Sequence, residues 1–391
     1  MRLTRWLWWT PSIVILGAAS PTEQVDFGKD IRPILAQKCV PCHSEGGSGP
    51  FALQTFAQAR KRGDLIRLVS LTGQMPPTDA RSDLVSLTPH QPLIGTELRT
   101  IQEWFRLGMP EGAKTKPLPT PEKRKPFVSD HVVVAQVGKG QAIPSEGRSA
   151  TVVYPINSLS GQVGYLGYFS FQPDAPKAVR QVVLAVQRPG QQPPFTQTGL
   201  RPGTSYAVWS DGFNPWQSGS GYISVEKEDR LWLRVIAVPT GKPEPASGLM
   251  TFGREYRSDK VQTKTMGNDT FVVEAEKIVT LRDEWVLDQD IDLISILPEA
   301  RFVTDQVRFI AKSGTGEKLV AMVHTWDATW PGAYNFAKPL RLRKGTSLIY
   351  EASVPNTKHG HAAEDEKSQT LRFGPRSTDE LFSCHINYIP R

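Results

Sequence analysis

Two thiols and an imidazole packed into five residues, Cys39-Val40-Pro41-Cys42-His43, are the most chemically specific feature of this 391-residue chain. Covalent haem attachment needs this set: two thiols to add to the two vinyl groups, and an adjacent histidine to ligate the iron. On a helix the offsets of three and four from Cys39 would project all three side chains from one face. With three cysteines and seven histidines in the chain, the pattern is expected by chance roughly 0.0004 times. A thioredoxin-type CxxC would open a helix after a strand, where the dipole lowers the thiol pKa, whereas these cysteines close an apolar-periodic helix. A structural zinc site needs four ligands, and only Cys384, far along the chain, is left to join the pair. The expectation is one covalent haem c on Cys39 and Cys42, with His43 as the proximal iron ligand.

The sixth iron position needs a second donor. Met75, in Gly73-Gln74-Met75-Pro76-Pro77, is the first choice, because two prolines fix the backbone just beyond it. His90 would give a bis-histidine haem of lower potential. Met109 follows the last helix of the segment, where a gap-filling role suits it better. These three and an unligated sixth position stay open at this point, with Met75 preferred.

Several elements must hold these donors. A first helix is expected over about Asp30–Cys42, with Ile31, Ile34 and Leu35 on one face and Pro33 in the first turn. A second is expected over about Thr96–Leu107, with Leu98, Ile101, Trp104 and Phe105 on one stripe and Gly108 as the stop. The stretch KTKPLPTPEKRK, from Lys114, reads as an extended, solvated linker. Beyond it come short β-like runs broken by Gly and Pro, among them Val132–Val134, Ala178–Val186, Leu231–Val238, Asp292–Leu297 and Val307–Ala311. Some 265 residues of this kind suit two sandwiches in tandem.

Residues 27–113 resemble small haem domains of planctomycete and acidobacterial cytochromes that precede copper monooxygenase-like domains. The likeness rests on FGKDIRPILAQKCVPCHSEGGSGPF, on the MPP that follows, and on IQEWFRLGMPEG. It implies Met75 as the distal ligand; Thr78 stands where that family usually has Trp. Residues 128–391 resemble the tandem β-sandwiches of copper type II, ascorbate-dependent monooxygenases of the peptidylglycine hydroxylating class. The matching segments are QRPG (187–190), VPTGKPE (238–244), WPGAYNFAKPLRLRKGTSLIYEASVPNT (330–357) and GPRSTDELFSC (374–384). That family's copper ligands would fall at Gln191-Gln192, at Ile236-Ala237, at Pro298-Glu299-Ala300-Arg301 and at Leu381. None of those residues is a histidine or a methionine, so the resemblance implies a scaffold that has lost its copper ligands. The fold class expected is multidomain α plus all-β: an N-terminal all-α cytochrome c domain, then two jelly-roll-like β-sandwiches. The expected divisions are a signal peptide (1–19), the haem domain (20–113), a linker (114–127) and sandwiches at 128–254 and 255–391.

Charge narrows the function classes. The net charge of +7 is carried mainly by two arginines before residue 20 and by residues 114–125, which alone hold +4; residues 21–113 are neutral. A nucleic-acid-binding face is therefore not expected. Arg2 and Arg5, the apolar Trp6–Gly17 run and the small residues to Ser20 read as an export signal cleaved after Ala19, with a retained membrane anchor as the rival reading. His359-Gly360-His361 and His385 form the remaining histidine cluster, read as a solvated loop before a metal site. Cys384 is expected as a free buried thiol, His324 as a packing residue beside Trp326, and Trp209, Trp216, Trp232 and Trp285 as core anchors. The expected function is electron transfer by an exported monohaem c-type cytochrome in the periplasm or at the cell surface. It would have no catalytic residues, no membrane span after signal cleavage, and a redox protein or membrane electron-transfer complex as partner. A haem-fused copper monooxygenase and a structural subunit of a redox complex are the alternatives.

Overall fold

The helical segment is built from short elements. A π-helical turn, Phe27–Ile31, runs into α1 (Arg32–Lys38), where Pro33 occupies the first turn and loses no intrahelical bond. Then come α2 (Phe56–Lys61), α3 (Gly63–Leu71) and α4 (Gly95–Arg106). Thr55 caps α2 reciprocally: its hydroxyl accepts from Gln58 N, and Gln58 Oε1 accepts from Thr55 N. The stripe on α4 buries Ile101 and Trp104 against Phe27, Ile31 and Leu35, which form the core of this segment. The Trp104 indole N–H donates to Pro110 O at 3.0 Å, so this large side chain is buried without an orphan donor. The structure is a computed structural model describing residues 24–77, 80–85, 87, 92–121, 132–156, 164–253, 259–357, 369–376 and 378–391. The expected signal segment, Thr78, His90, part of the linker, the junction at 254–258 and the His359/His361 pair lie outside those residues.

The principal strands are β1 (Ala80–Arg81), β2 (Val132–Val137), β3 (Ala150–Pro155), β4 (Tyr168–Pro173), β5 (Val179–Gln187), β6 (Tyr206–Ser210), β7 (Trp216–Gln217), β8 (Arg230–Ala237) and β9 (Gly248–Gly253). They continue with β10 (Gln262–Gly267), β11 (Lys277–Val286), β12 (Ile291–Glu299), β13 (Gln306–Ser313), β14 (Gly316–Val323), β15 (Tyr334–Leu342), β16 (Ser347–Asn356) and β17 (Ser383–Pro390). Sheets β6-β5-β8-β3 and β7-β4-β9-β2 enclose one apolar core. Sheets β1-β14-β13-β16-β11 and β10-β17-β12-β15 enclose a second. Trp216 is fully buried, and Trp209, Trp232 and Trp285 pack on the two cores.

Strands β5 and β12 are buried almost along their whole length rather than on alternate residues. The reason is tertiary: one face of each looks into its own sandwich and the other is covered by the neighbouring one. Ile294, Leu297, Ala333 and Ile389 of the second sandwich belong to the first core. Paired polar groups join the two. Tyr206 Oη donates to His385 O at 2.7 Å, Trp216 Nε1 to Ser295 Oγ at 3.2 Å, and Asn387 Nδ2 to Tyr206 O at 2.8 Å.

An all-α N-terminal domain standing before two sandwiches is not what the chain forms, and the expected fold class is corrected on that point. The protein is predominantly β; the four α-helices among the described residues are short, the longest being the 12-residue α4. The N-terminal segment itself contains a strand. β1 pairs antiparallel with β14, Ala80 facing Val323 and Arg81 facing Met322. Ala80 and Leu87 are buried in the second β core, and Leu84 and Val85 pack against it. The physical cause is an edge: β14 offers unpaired backbone groups and the 80–87 stretch has apolar side chains to bury, so the two associate. No described helix is long and apolar enough to cross a membrane.

Candidate haem site

The Cys39–His43 motif lies in a turn that closes α1, not inside a helix. Helix-like bonds continue through it: Val40 N to Leu35 O at 2.8 Å, and His43 N to Cys39 O at 2.8 Å. Neither thiol is in a disulfide, and both are partly buried. Burial pushes the Cys39 thiol up to about 12, with Cys42 and Glu97 adding to the effect. A thiol so placed at the C-terminal end of a helix is not the activated thiolate of a dithiol oxidoreductase.

His43 is oriented for ligation. Its Nδ1 lies 3.0 Å from Phe51 O; a carbonyl only accepts, so Nδ1 carries the proton and Nε2 keeps its lone pair for a metal. Burial, opposed by this bond, lowers the pKa of the ring and favours the neutral form. The loop folds closely over the imidazole, and a Cβ at Gly49 would stand 2.6 Å from Nδ1. Glycine is therefore required there by space rather than by dihedral angle.

Met75 lines a cavity of about 340 Å3 together with Leu71, Leu93 and Leu98, a size within the range of cofactor pockets. Lys38, next to Cys39, reaches the same region by donating to Pro92 O at 3.3 Å, and Pro92 is part of the cavity wall. Leu68, Leu71 and Ile94 are exposed, and of these Leu71 lines the cavity. The residue types suit the group, an oriented imidazole, two thiols and a thioether, but Cys39, Cys42 and His43 are not among the residues that line the Met75 cavity. Met109 is placed elsewhere. It packs on the helical core, tight enough against Gly63 that a Cβ there finds no room.

Residues from the β half also reach this site, and sequence reasoning missed them. Cys42 is within electrostatic reach of Arg180, at the start of β5. The Arg180 guanidinium is buried and stacks 4.1 Å from the Trp330 ring centroid. His324 is exposed and lines the Met75 cavity, rather than packing beside the buried Trp326. No local pattern announces these neighbours, which stand well over a hundred residues away along the chain.

A second cavity, about 860 Å3, opens between the sandwiches. Ile236, Glu299, Arg301 and Leu381 all line it, so positions at which the monooxygenase resemblance would place copper ligands converge there. Gln191 and Gln192 sit exposed on the loop after β5. The donors in the cavity are already engaged. Glu299 Oε1 lies 2.5 Å from Arg234 Nη1, and Glu299 Oε2 lies 3.2 Å from His385 Nε2. Burial works against the Glu299 charge, but Arg234 and His385 outweigh it and hold the carboxyl at about 2. Arg301 donates to the carbonyls of Gln197, Pro375 and Arg376. Among the described residues no group of three or more His, Cys, Asp or Glu could hold a metal. Cys384 is fully buried in the second β core.

No protein-family model matches the chain, and no curated protein matches it. Solved structures give slight likenesses. The infectious bursal disease virus Gx strain structure is 11% identical over 65% of this chain and 74% of that chain, with a TM-score of 0.18. The STIV MCP crystal structure is 8% identical over 59% of this chain and 99% of that one, with a TM-score of 0.20. At TM-scores this low neither carries an argument about function.

Proposed function

We propose that this chain is an exported monohaem c-type cytochrome that transfers electrons in the periplasm or at the cell surface. The observation that carries the reading is the Cys39–His43 motif with the His43 ring locked by Phe51 O. That bond selects the tautomer a ligating histidine needs. A bound haem would supply one-electron redox chemistry, and a thioether from Met75 would favour the ferrous state. The chain's own residues do the rest. Cys39 and Cys42 fix the group covalently, His43 presents Nε2, and the leucines around Met75 keep water away. The β half then serves as a docking body for a redox partner, a membrane electron-transfer complex or a soluble carrier. What argues against copper oxygenation is the chemistry of the donor set: apolar Ile236 and Leu381, cationic Arg301, and a Glu299 already paired with Arg234. A copper site needs several soft or borderline ligands and an open position.

Denaturing electrophoresis with a peroxidase stain tests the reading. Haem stays on the wild-type polypeptide, and Cys39→Ala with Cys42→Ala abolishes the stain. A correctly exported but colourless wild type refutes it.

A further inference from the structure

The cavity between the sandwiches has a floor set by strand register. Thr151 faces Ile236 and Ile236 faces Gln181 across β3, β8 and β5, and Val153 faces Arg234 in the row beside them. Side chains two apart on a strand point the same way, so these five share one face of the sheet, and all five line the cavity. The opposite wall comes from the second sandwich: Glu299 at the end of β12, then Ala300, Arg301 and Phe302, with Leu381 beside them. Phe195 and Trp326, both largely buried, add two further aromatic rings to the lining. We propose that this cavity binds a small ring-bearing organic carboxylate, its ring among Phe195, Phe302 and Trp326 and its carboxylate on Arg301.

Volume and charge together select the ligand class. At about 860 Å3 the cavity is of the size that takes small molecules, and apolar and aromatic walls with a few polar groups are the usual lining of such sites. Of the ionisable residues in the wall, Arg234 and Glu299 neutralise each other in a buried ion pair, which leaves the charge of Arg301. Its Nη1 and Nη2 donate to the carbonyls of Arg376, Gln197 and Pro375. Those bonds hold the guanidinium in place without cancelling its charge, and its Nε–H has no hydrogen-bond partner among the described residues. The acids nearby are committed elsewhere. Asp379 is paired with Arg376, and the Glu380 carboxylate accepts from the backbone N–H groups of Arg301, Val303, Thr304 and Leu381. A carboxylate taken from water must find charged or hydrogen-bonding partners. The planar guanidinium supplies the first, and the exposed hydroxyls of Ser149 and Thr151 in the same wall supply the second.

Isothermal titration calorimetry of the full-length protein tests the site with benzoate, 2-naphthoate, benzamide and acetate. Benzoate is expected to bind saturably and 2-naphthoate more tightly, since the larger ring covers more of the apolar wall. Benzamide keeps the ring without the charge and is expected to bind about tenfold more weakly, or worse; acetate, which has no ring, is also expected to bind more weakly than benzoate. Arg301→Gln weakens benzoate by about tenfold and leaves benzamide unchanged. Ile236→Trp fills the floor and removes the binding of both. The comparison of probes on the wild-type protein needs no variant, so it decides the matter even where a substitution impairs folding. No saturable binding of benzoate, equal affinity for benzamide or acetate, or benzoate binding that ignores both substitutions overturns the proposal. Binding is read in the same way whether or not the chain carries haem.

Discussion

Replacing Glu299 by glutamine tests how the two sandwiches are joined. Glu299 is 7% exposed and its partner Arg234 5% exposed, and they come from β12 and β8, on opposite sides of the interface. The substitution keeps the shape and leaves a guanidinium buried without its counter-ion, in a side chain whose Nε already has no partner among the described residues. Breaking a buried pair by removing one member costs about 3–5 kcal/mol. The proton linkage leads to the same range. The carboxyl drops from 4.5 to about 2 on folding, and at about 1.4 kcal/mol per unit this amounts to roughly 3 kcal/mol. Because the folded pKa is the lower one, the stabilisation is complete above about pH 4.5. It is lost as pH falls toward 2, more than half of it by pH 3. Urea unfolding followed by tryptophan fluorescence at pH 7 and pH 3 measures both effects. Glu299→Gln is expected to lower the midpoint clearly at pH 7 and much less at pH 3. The double variant Arg234→Met/Glu299→Leu is expected to recover most of the loss, since an apolar pair leaves no stranded charge. Equal stability of Glu299→Gln and wild type at pH 7, or a gap that ignores pH, refutes the reasoning.

Met75→Ala is expected to remove the sulfur-to-iron charge-transfer band of the ferric protein and lower its potential. Met109→Ala leaves the band in place and costs stability instead, about 2–5 kcal/mol for a packed Met, as read by urea denaturation. Gly49→Ala forces a methyl against the His43 ring, so a perturbed haem spectrum with unchanged covalent attachment is expected; an identical spectrum would show that the loop yields. Metal analysis of the purified protein is expected to find about one iron per chain and far less copper. Ascorbate and oxygen are expected to give no hydroxylated product, whereas stoichiometric, tightly held copper would restore the oxygenase alternative.

Much of the local structure was legible because it depends on short-range periodicity. The α4 stripe of Leu98, Ile101 and Trp104 repeats at helical spacing, and the helix spans Gly95–Arg106 against an expected Thr96–Leu107. The runs around Ala178–Val186 and Leu231–Val238 became β5 and β8 within a residue or two. The Cys39–His43 motif was legible for a different reason: its five residues are contiguous, so no tertiary contact is needed to assemble it. Helices α2 and α3 carried no such signal. They are short, and Leu65, Leu68 and Leu71 of α3 face outward, so no buried stripe marks them. The fold class failed at β1, because strand pairing between residues 80–81 and 322–323 depends on which sheet edge is vacant in space. The Arg234–Glu299–His385 cluster and the approach of Arg180 to Cys42 have the same character. Each joins positions far apart in sequence and comes into being only when separate strands are brought side by side. Sequence by itself determined which groups this protein can offer a haem; tertiary packing decided what surrounds them, because burial and charge pairing belong to a site and not to a residue.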